Sequence, residues 1–587
     1  MNRREFVRAS VGLTAGLLGL SCAPLVSVPS ATVSGTPGLK PVARNRTLYL
    51  SIGQADPTPR TAWNPYTSDN GHQNGSGLFY EPLFFYSAFQ DRMIPWLAEQ
   101  SAFSPDYMQL TLKLRSGVTW SDGQPFSADD VAYTLNSLAT TQSSLSRASE
   151  VHQFIDHVSA LDTTTVQIVF KSPSPRCLFQ LAYWYDKGVY IVPKHVFEQY
   201  ADWSTFDHYD PDHGLPVTTG PWRLAQVTPG KTVIDRAGSW WAAQSGLGQL
   251  PSVERIVFLP FPDQTVIATD FRGNQLDCSD SVSPTTMRYI LELNSAITSF
   301  TGRQPPYGNV DWWPISLYLN NSRPPFDDRD VRWAISLLID RTRLAADAFE
   351  GAAQPAPLTL PSSDAYTGLR PYRAAIDPLL SQYDTNKFDP AAAARLLSGR
   401  GYAINTDGYW SKDGAPLRLE VGVLGILRDI GMALVKQLRD RGIAATLNDV
   451  LDMDARFLRG EYTGMLEGHS GSVAADPYPT LRLYQSSAAG TPRATRSRWS
   501  NAVYDQIVDE MAATPLEDQP KLIEQFKRAM EIWLPELPDV PLLEWYHRLP
   551  MNTAYWTGWP SASDPYVNGA FWHLTFPLIL NRLRPTA

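Results

Sequence analysis

Tryptophan is the residue type in this sequence that most clearly suggests ligand chemistry. The 587-residue chain contains 18 Trp, 26 Tyr and 23 Phe, which is more tryptophan than the packing of a core of this size requires. An indole ring offers a large flat apolar face and one N–H donor, so it can stack on a sugar ring or pack against a peptide side chain. Packing within the protein core is the alternative for each ring. The rings expected to face a ligand are those of Trp312, Trp313, Trp545, Trp556, Trp559 and Trp572.

Three polar residues are candidates to hydrogen-bond the same ligand. His469 and Asp476 lie in one short segment, residues 468–479, and Asn70 is the third candidate. Asp476 could instead cap a turn before Pro477, because aspartate side chains often hydrogen-bond nearby backbone groups in turns. The sequence leaves both roles of Asp476 open.

Enzymatic chemistry has little support in the sequence. Residues 468–472 read GHSGS and lack the final glycine of the G-x-S-x-G nucleophile motif. The chain has no H-E-x-x-H motif, no phosphate-binding loop and no Cys/His metal spacing. A glycosidase needs two carboxyl groups at a fixed separation, and the sequence cannot show such a pair. We therefore expect no catalytic residue, no metal site and no cofactor.

Alternating and helical patterns predict the elements that position these residues. Residues 108–115, MQLTLKLR, alternate apolar and polar side chains, which is typical of a half-buried strand. Ser127 then fits the N-cap of a helix. Pro324 and Pro325 end an extended segment, and an apolar stripe at spacings of three and four residues predicts a helix from Asp330.

Several blocks of the sequence, in order and in spacing, resemble the family 5 extracellular solute-binding proteins. These proteins are the peptide, nickel and oligosaccharide receptors of bacterial ABC importers. Residues 79–138 contain Y-E-P-L-F, P-W-L-A-E and L-R-x-G-V-x-W-S-D-G-x-P-F-x-A-x-D-V, and residues 191–198, 219–224 and 319–341 match later blocks. The resemblance covers roughly residues 46 to 587. It implies a non-enzymatic binding component that captures a short oligomer and delivers it to permease subunits.

The resemblance also implies the architecture. The expected fold class is α/β, in the bilobal periplasmic-binding-protein-like fold of type II, in its large variety with three subdomains. The chain would cross between the lobes near residue 305 and again near residue 544, which makes a hinge that can close on a ligand. The expected parts are lobe I at 46–78, 217–305 and 545–587, an inserted subdomain of lobe I at 79–216, and lobe II at 306–544.

Ligand class is the most open question at this stage. The tail from Ala554 to Trp572 resembles the Y-W-T-x-W-P block of the oligosaccharide-binding branch. Peptide receptors of the family carry W-x-A-D-Y-x-D-P, whose aspartate pairs with the peptide α-ammonium, and Asp476 lies in the corresponding stretch without the tryptophan. We expect a short oligosaccharide, with an oligopeptide as the alternative. The nine scattered histidines weaken the nickel alternative. A sensory or adhesion receptor and a secreted glycoside-active enzyme are further alternatives.

The N-terminal residues read as targeting sequence. Arg3 and Arg4 precede a short apolar stretch, which resembles a twin-arginine export signal over residues 1–22. Cys22 ends a stretch close to a lipoprotein box, so we expect it to be lipidated. Residues 23–45 are rich in Pro, Ser, Thr and Gly and read as a disordered tether. The protein is thus expected outside the cytoplasm, periplasmic or at the cell surface, and tethered to a membrane only through Cys22.

Bulk composition excludes some partners. The net charge is −9 and the chain has no basic block, which argues against nucleic acid as a partner. No segment after the signal has the roughly 18 continuous apolar residues of a membrane helix. Cys177 and Cys278 are expected as two unpaired buried thiols. We expect a monomer.

Overall fold

Strands and helices alternate along most of the chain. The computed structural model describes residues 39–54, 61–67, 75–140, 145–182, 188–449, 453–468, 476–491 and 495–586. In chain order, the strands are β1 Thr47–Gln54, β2 Phe84–Ser87, β3 Arg92–Pro95, β4 Ala98–Phe103, β5 Gln109–Leu114, β6 Ile155–Asp162, β7 Thr165–Phe170, β8 Trp222–Thr228, β9 Lys231–Arg236, β10 Arg255–Phe261, β11 Cys278–Ser279, β12 Ile297–Thr298, β13 Asn309–Val310, β14 Ile315–Leu319, β15 Ala403–Ile404, β16 Trp410–Lys412, β17 Ala415–Pro416, β18 Arg418–Val423, β19 Ala444–Asp449, β20 Gly464–Gly468, β21 Asp539–Leu543, β22 Tyr546–His547, β23 Met551–Asn552, β24 Trp556–Thr557 and β25 Arg584–Pro585.

Helices connect these strands and cover the sheets. They are α1 Ala128–Thr140, α2 Ala148–Phe154, α3 Cys177–Ala182, α4 Lys194–Phe197, α5 Trp241–Gln244, α6 Gln264–Arg272, α7 Pro284–Leu293, α8 Arg329–Leu337, α9 Arg341–Phe349, α10 Arg370–Ala375, α11 Asp377–Gln382, α12 Pro390–Gly399, α13 Arg428–Arg439, α14 Met453–Arg459, α15 Tyr478–Leu481, α16 Ala502–Ala513, α17 Gln519–Glu536 and α18 Phe576–Arg582.

A seven-stranded sheet gathers strands from distant parts of the sequence. Its order is β12-β23-β11-β1-β10-β9-β8. Strand β1 pairs in parallel with β10 and β11, and its Leu48 and Leu50 are fully buried. Helices α6 and α7 pack together through a separate cluster that includes Ile267, Phe271 and Met287. The loops that follow β1 and β11 therefore open at the same edge of this sheet, because parallel strands end on the same side.

A five-stranded sheet forms the second large layer. Its order is β19-β18-β20-β14-β21, with β14 antiparallel to both of its neighbours. All residues of β14 and β21 are buried, which explains why these strands read as nearly continuous apolar runs. Helix α8 begins after Asp328, whose side chain accepts a hydrogen bond from Asp330 N, and buries Val331, Ala334 and Ile335. The helix predicted from Asp330 is present.

A four-stranded antiparallel sheet, β4-β5-β7-β6, carries the block on which the family resemblance mainly depends. Strand β5 is the strand predicted over residues 108–115, and its burial alternates as expected. The predicted helix start at Ser127 is also present: Ser127 Oγ accepts from Asp129 N at 3.3 Å, while Asp130 Oδ2 accepts from Ser127 N at 2.9 Å. This reciprocal capping fixes where α1 begins.

Two chain segments connect the seven-stranded sheet to the five-stranded sheet, and they pair with each other. Strand β13 lies between β12 and β14, and strand β22 lies between β21 and β23. They form an antiparallel ladder that places Asn309 opposite His547 and Val310 opposite Tyr546. Asp311 N extends it by donating to Trp545 O at 2.9 Å. The two crossings expected from the sequence are therefore side by side.

Ordered structure begins earlier than predicted. The Arg44 guanidinium makes two hydrogen bonds of 2.9 Å to the buried Asp277 carboxylate and lies over the rings of Tyr49 and Tyr555. Arg44, which was expected to lie in the disordered tether over residues 23–45, is therefore part of the folded body. The export signal over residues 1–22, Cys22 and the tether up to residue 38 lie outside the described residues.

Two further findings concern the described part of the chain. Cys177 and Cys278 are both buried and unpaired, as predicted. Within the described ranges, no helix combines the length and apolar character needed to cross a membrane.

Candidate ligand site

A cavity of about 530 Å³ lies beside the two crossing strands. One wall comes from the seven-stranded sheet, through Ile52 of β1 and residues 280–284 after β11. The opposite wall comes from elements around the five-stranded sheet, namely the end of α9 and the start of α13. The crossing segments themselves contribute residues 311–313 and, from the second segment, Trp545, His547 and Arg548. The volume is within the usual range for small-molecule sites.

Aromatic rings dominate the cavity wall. Trp313 and Trp545 meet edge to face with ring centroids 5.7 Å apart, and Phe349 meets Trp545 in the same way at 6.1 Å. Trp312 and Trp572 also line the cavity, and Trp312 packs on His573 at 4.7 Å. Each of these rings is thus packed against at least one other ring.

A glycine makes room for one of these rings. Gly468 is the last residue of β20 and pairs with Ile315 of β14. A Cβ atom at position 468 would overlap the six-membered ring of Trp313. Trp313 therefore rests directly on backbone, and no other residue type at 468 would allow its present position.

An ion pair forms the polar part of the cavity. His547 Nε2 lies 3.0 Å from Asp311 Oδ2, and the other oxygen of Asp311 accepts from Trp312 N at 2.8 Å. Burial alone would lower the pKa of His547, but the nearby Asp311 carboxylate outweighs it and raises the pKa above its ordinary value. His547 Nδ1 is buried without a hydrogen-bond partner among the described residues. This ring nitrogen is a candidate donor to a ligand oxygen.

Asp280, Asp429 and Arg548 are the other charged residues of the lining. Asp280 Oδ1 accepts from Ser281 N at 2.6 Å, and burial raises the pKa of the Asp280 carboxyl. The Arg548 guanidinium donates to the carbonyl oxygens of Pro306 and Ala352, and burial lowers its pKa to about 10. Arg548 thus fixes the backbone of the crossing instead of pairing with a carboxylate.

The comparisons with known proteins identify the family. Residues 92–491 match the model of the bacterial extracellular solute-binding proteins, family 5 Middle. The chain belongs to this family. The resemblance drawn from the sequence blocks is confirmed at that level, and the protein is the solute-binding component of a bacterial ABC importer. The family consists of solute-binding proteins and not of enzymes, which agrees with the expected absence of catalysis.

Individual relatives and solved structures support the same assignment. The nickel-binding periplasmic protein of Escherichia coli K12 is 26% identical over 482 residues, covering 78% of this chain and 84% of the relative. The glutathione-binding protein GsiB of the same strain is 25% identical over 495 residues, covering 82% and 86%. A periplasmic oligopeptide-binding protein of Thermotoga maritima has 25% identity and a TM-score of 0.80, over 92% of this chain and all of that one. A mannohexaose-bound structure of that protein has 24% identity and a TM-score of 0.76, and the match covers 93% of this chain and 100% of that one. The predicted bilobal α/β fold is confirmed.

Four of the six tryptophans singled out in the sequence line the cavity of this solute-binding protein, namely Trp312, Trp313, Trp545 and Trp572. The other two do not. Trp556 is fully buried at the β24–β25 pair, and Trp559 is nearly buried with its Nε1 donating to Asn552 O at 3.2 Å. Both rings pack the tail against its neighbours and lie outside the cavity lining.

Of the three polar candidates from the sequence, only Asp476 is among the described residues. His469 and Asn70 lie outside the described residues. Asp476 is buried and pairs with Arg176 Nε, while its Oδ1 accepts from Tyr478 N at 3.1 Å. Its charge is thus paired with that of an arginine, and Asp476 lies outside the lining of this cavity.

Sequence reasoning missed the five charged residues of the cavity, Asp280, Asp311, Asp429, His547 and Arg548. Asp311, His547 and Arg548 sit within a few positions of the tryptophans that were predicted, and Asp280 follows β11. Their closeness in sequence to Trp312 and Trp545 was the available signal. Within the described ranges, no group of three or more His, Cys, Asp or Glu side chains could hold a metal ion.

Proposed function

We propose that this protein captures a short uncharged oligomer, an oligosaccharide, in the aromatic cavity and delivers it to the permease of an ABC importer. The observation that carries the proposal is the wall formed by Trp312, Trp313, Trp545, Trp572 and Phe349. Flat aromatic faces complement the apolar faces of sugar rings, and N–H groups at the wall can donate to hydroxyl oxygens.

The charges around the cavity support an uncharged ligand. His547 and Asp311 neutralise each other, and Arg548 is occupied by two carbonyl oxygens. Asp476, the aspartate on which a peptide α-ammonium would depend, is held by Arg176 away from the cavity lining. A ligand that brings hydroxyl groups needs hydrogen bonds here and no counter-charge.

Known relatives differ in ligand, so the family alone does not choose one. The two E. coli relatives are named for nickel and for glutathione. The T. maritima protein is called oligopeptide-binding and has been solved with mannohexaose. The mannohexaose complex supports sugar binding by a protein of this fold. The aromatic wall of the present cavity is the reason to propose the same ligand class for this chain.

A second candidate, an oligopeptide, is favoured by one observation. The Asp280 carboxyl lines the cavity and is only partly exposed, so burial raises its pKa. A ligand ammonium beside it would favour the ionised carboxylate and gain a charge-assisted hydrogen bond. Peptide binding would therefore depend on Asp280.

Calorimetric titration of the purified protein with manno- and cello-oligosaccharides and with di- to tetrapeptides tests the choice. We expect sugars to bind and Trp545→Ala to weaken binding by tenfold or more, because the ring loses its stacking face. Trp410→Ala is the matched control, since Trp410 is half-buried on β16, outside the cavity lining. If peptides bind, sugars do not, and Asp280→Asn abolishes peptide binding, the ligand is an oligopeptide and the oligosaccharide proposal is wrong.

We further propose the lobe boundaries, the export and the anchoring expected from the sequence. The seven-stranded sheet supports lobe I, the four-stranded sheet its inserted subdomain, and the five-stranded sheet lobe II. The protein would act as a monomer outside the cytoplasm, tethered through a lipid on Cys22. Metabolic labelling with a radioactive fatty acid should mark the wild type and leave Cys22→Ala unlabelled. Equal labelling of both would contradict the anchor.

A further inference from the structure

Arg176 reaches out of the inserted subdomain into a socket made by another part of the chain. It precedes α3 directly and follows β7 of the four-stranded sheet. Its side chain is 6% exposed. The side chain contacts the Asp476 carboxylate, the ring of Tyr478 and three carbonyl oxygens at the end of α16, all within residues 476–514.

The socket engages two of the three nitrogens of the Arg176 guanidinium, and Nη2 is buried without a hydrogen-bond partner among the described residues. Arg176 Nη1 donates to the carbonyl oxygens of Met511, Ala512 and Thr514 at 2.8, 2.9 and 3.2 Å. These carbonyls lie where α16 ends and carry the negative end of its dipole. Met511 O also accepts from Thr514 N at 3.2 Å, so Arg176 is its second donor. Nε pairs with Asp476, and the planar group lies 4.6 Å from the centre of the Tyr478 ring. A lysine could not make this set of contacts, because it is a point charge without the planar fork.

The surroundings of the socket are polar. A pocket of about 210 Å³ beside it is lined by Arg147, Gln180, Arg482 and Gln485, among others. At the surface, Tyr107 Oη donates to Glu517 Oε2 at 3.1 Å between the same two parts of the chain. Separation at the socket itself exposes little apolar area to water, so this contact is suited to opening and closing. Elsewhere between the same two parts, the buried rings of Phe89 and Tyr366 meet with centroids 5.2 Å apart.

We infer that Arg176 is a latch between the inserted subdomain and lobe II, and that it sets how much of the protein is in the closed form. The inference builds on the proposed function, since the closed form is the one that holds the ligand. Arg176 lines no part of the aromatic cavity. It acts through the closed population: apparent affinity falls in proportion to the fraction of molecules that are binding-competent.

Small-angle X-ray scattering of the ligand-free full-length protein tests the latch without knowledge of the ligand. Arg176→Ala and Arg176→Lys should both increase the radius of gyration, and Asp476→Asn should do the same. The double variant Arg176→Ala/Asp476→Asn should show no further increase, because both changes break one contact. Arg255→Ala is the matched control: Arg255 pairs with Asp235 within the seven-stranded sheet, and its loss should leave the radius unchanged.

Ligand binding gives the second measurement. Arg176→Lys should weaken the affinity for the ligand found by titration at least about tenfold, mainly through faster dissociation. An unchanged radius of gyration in folded Arg176→Lys and Asp476→Asn would overturn the latch, whatever the ligand is. If the radius increases and no sugar binds the wild type, the latch stands and only the oligosaccharide assignment fails.

Discussion

Glu544 should be protonated in the folded protein at neutral pH, and replacing it should remove one proton from the unfolding equilibrium. It lies between β21 and Trp545, is 3% exposed, and its Oε2 has no partner among the described residues. Burial raises the pKa of its carboxyl to about 8, although a backbone N–H of Ser362 partly offsets this. The site thus favours the neutral acid.

The size of the effect follows from linkage. An unfolded glutamate titrates near 4.3, so between about pH 4.3 and about pH 8 the folded state holds a proton that the unfolded state has lost. In that window stability falls by about 1.4 kcal/mol per pH unit as pH rises, because the unfolded state binds fewer protons. The contribution is full below about pH 4.3 and is lost above about pH 8. The total is on the order of 5 kcal/mol.

Glu544→Gln removes this titration while keeping the shape of the side chain. Denatured in weakly buffered solution at pH 6, the wild type should release about one more proton than the variant. The difference between their guanidinium unfolding midpoints should also shift steadily between pH 5.5 and 7.5. Glu524→Gln on the exposed face of α17 is the matched control and should behave like the wild type. Equal proton release from wild type and Glu544→Gln would show that Glu544 is ionised in the folded state and refute the reasoning.

Two further predictions concern a glycine and a histidine. Gly468→Ala should displace the Trp313 ring and weaken ligand binding tenfold or more in titration calorimetry. Gly425→Ala is the control and should bind normally, because a Cβ atom there meets nothing within 4 Å. Unchanged affinity in Gly468→Ala would show that Trp313 is not part of the ligand site. Burial lowers the pKa of His208 to about 3, so it stays neutral when folded, and stability should fall by about 1.4 kcal/mol per pH unit as pH drops below about 6.5. Urea unfolding midpoints of His208→Gln should lack this acid-side loss, and a parallel pH profile would contradict the prediction.

Local signals in the sequence were sufficient for individual elements. The alternation over residues 108–115 predicts β5, and Ser127 with Asp130 predicts the start of α1, because these patterns depend on neighbours only a few positions away. The family blocks then supply the bilobal fold. Side-chain types also led to four of the six tryptophans at the cavity.

The remaining errors arise from contacts between distant residues. Asp476 is neutralised by an arginine 300 positions earlier, and nothing near Asp476 in sequence indicates this. Trp556 has the same local character as Trp545, yet the pairing of β24 with β25 encloses it. His547 meets Asp311 only because of the register between β13 and β22. Spacing along the chain carries no information on such pairings.

The pairing of the two crossing strands has a mechanical consequence. Asp311, Trp312, Trp545 and His547 lie on or beside the paired crossing strands. If the two halves turn about these strands, these residues travel least, because points near a pivot move least. This part of the cavity should therefore keep nearly the same geometry when the halves separate. A ligand could dock first on a half-built platform, and rotation would then bury it. The association rate of the ligand would then depend on access to the platform, and its dissociation rate on the rotation. Substitutions could therefore change one of these two rates without changing the other.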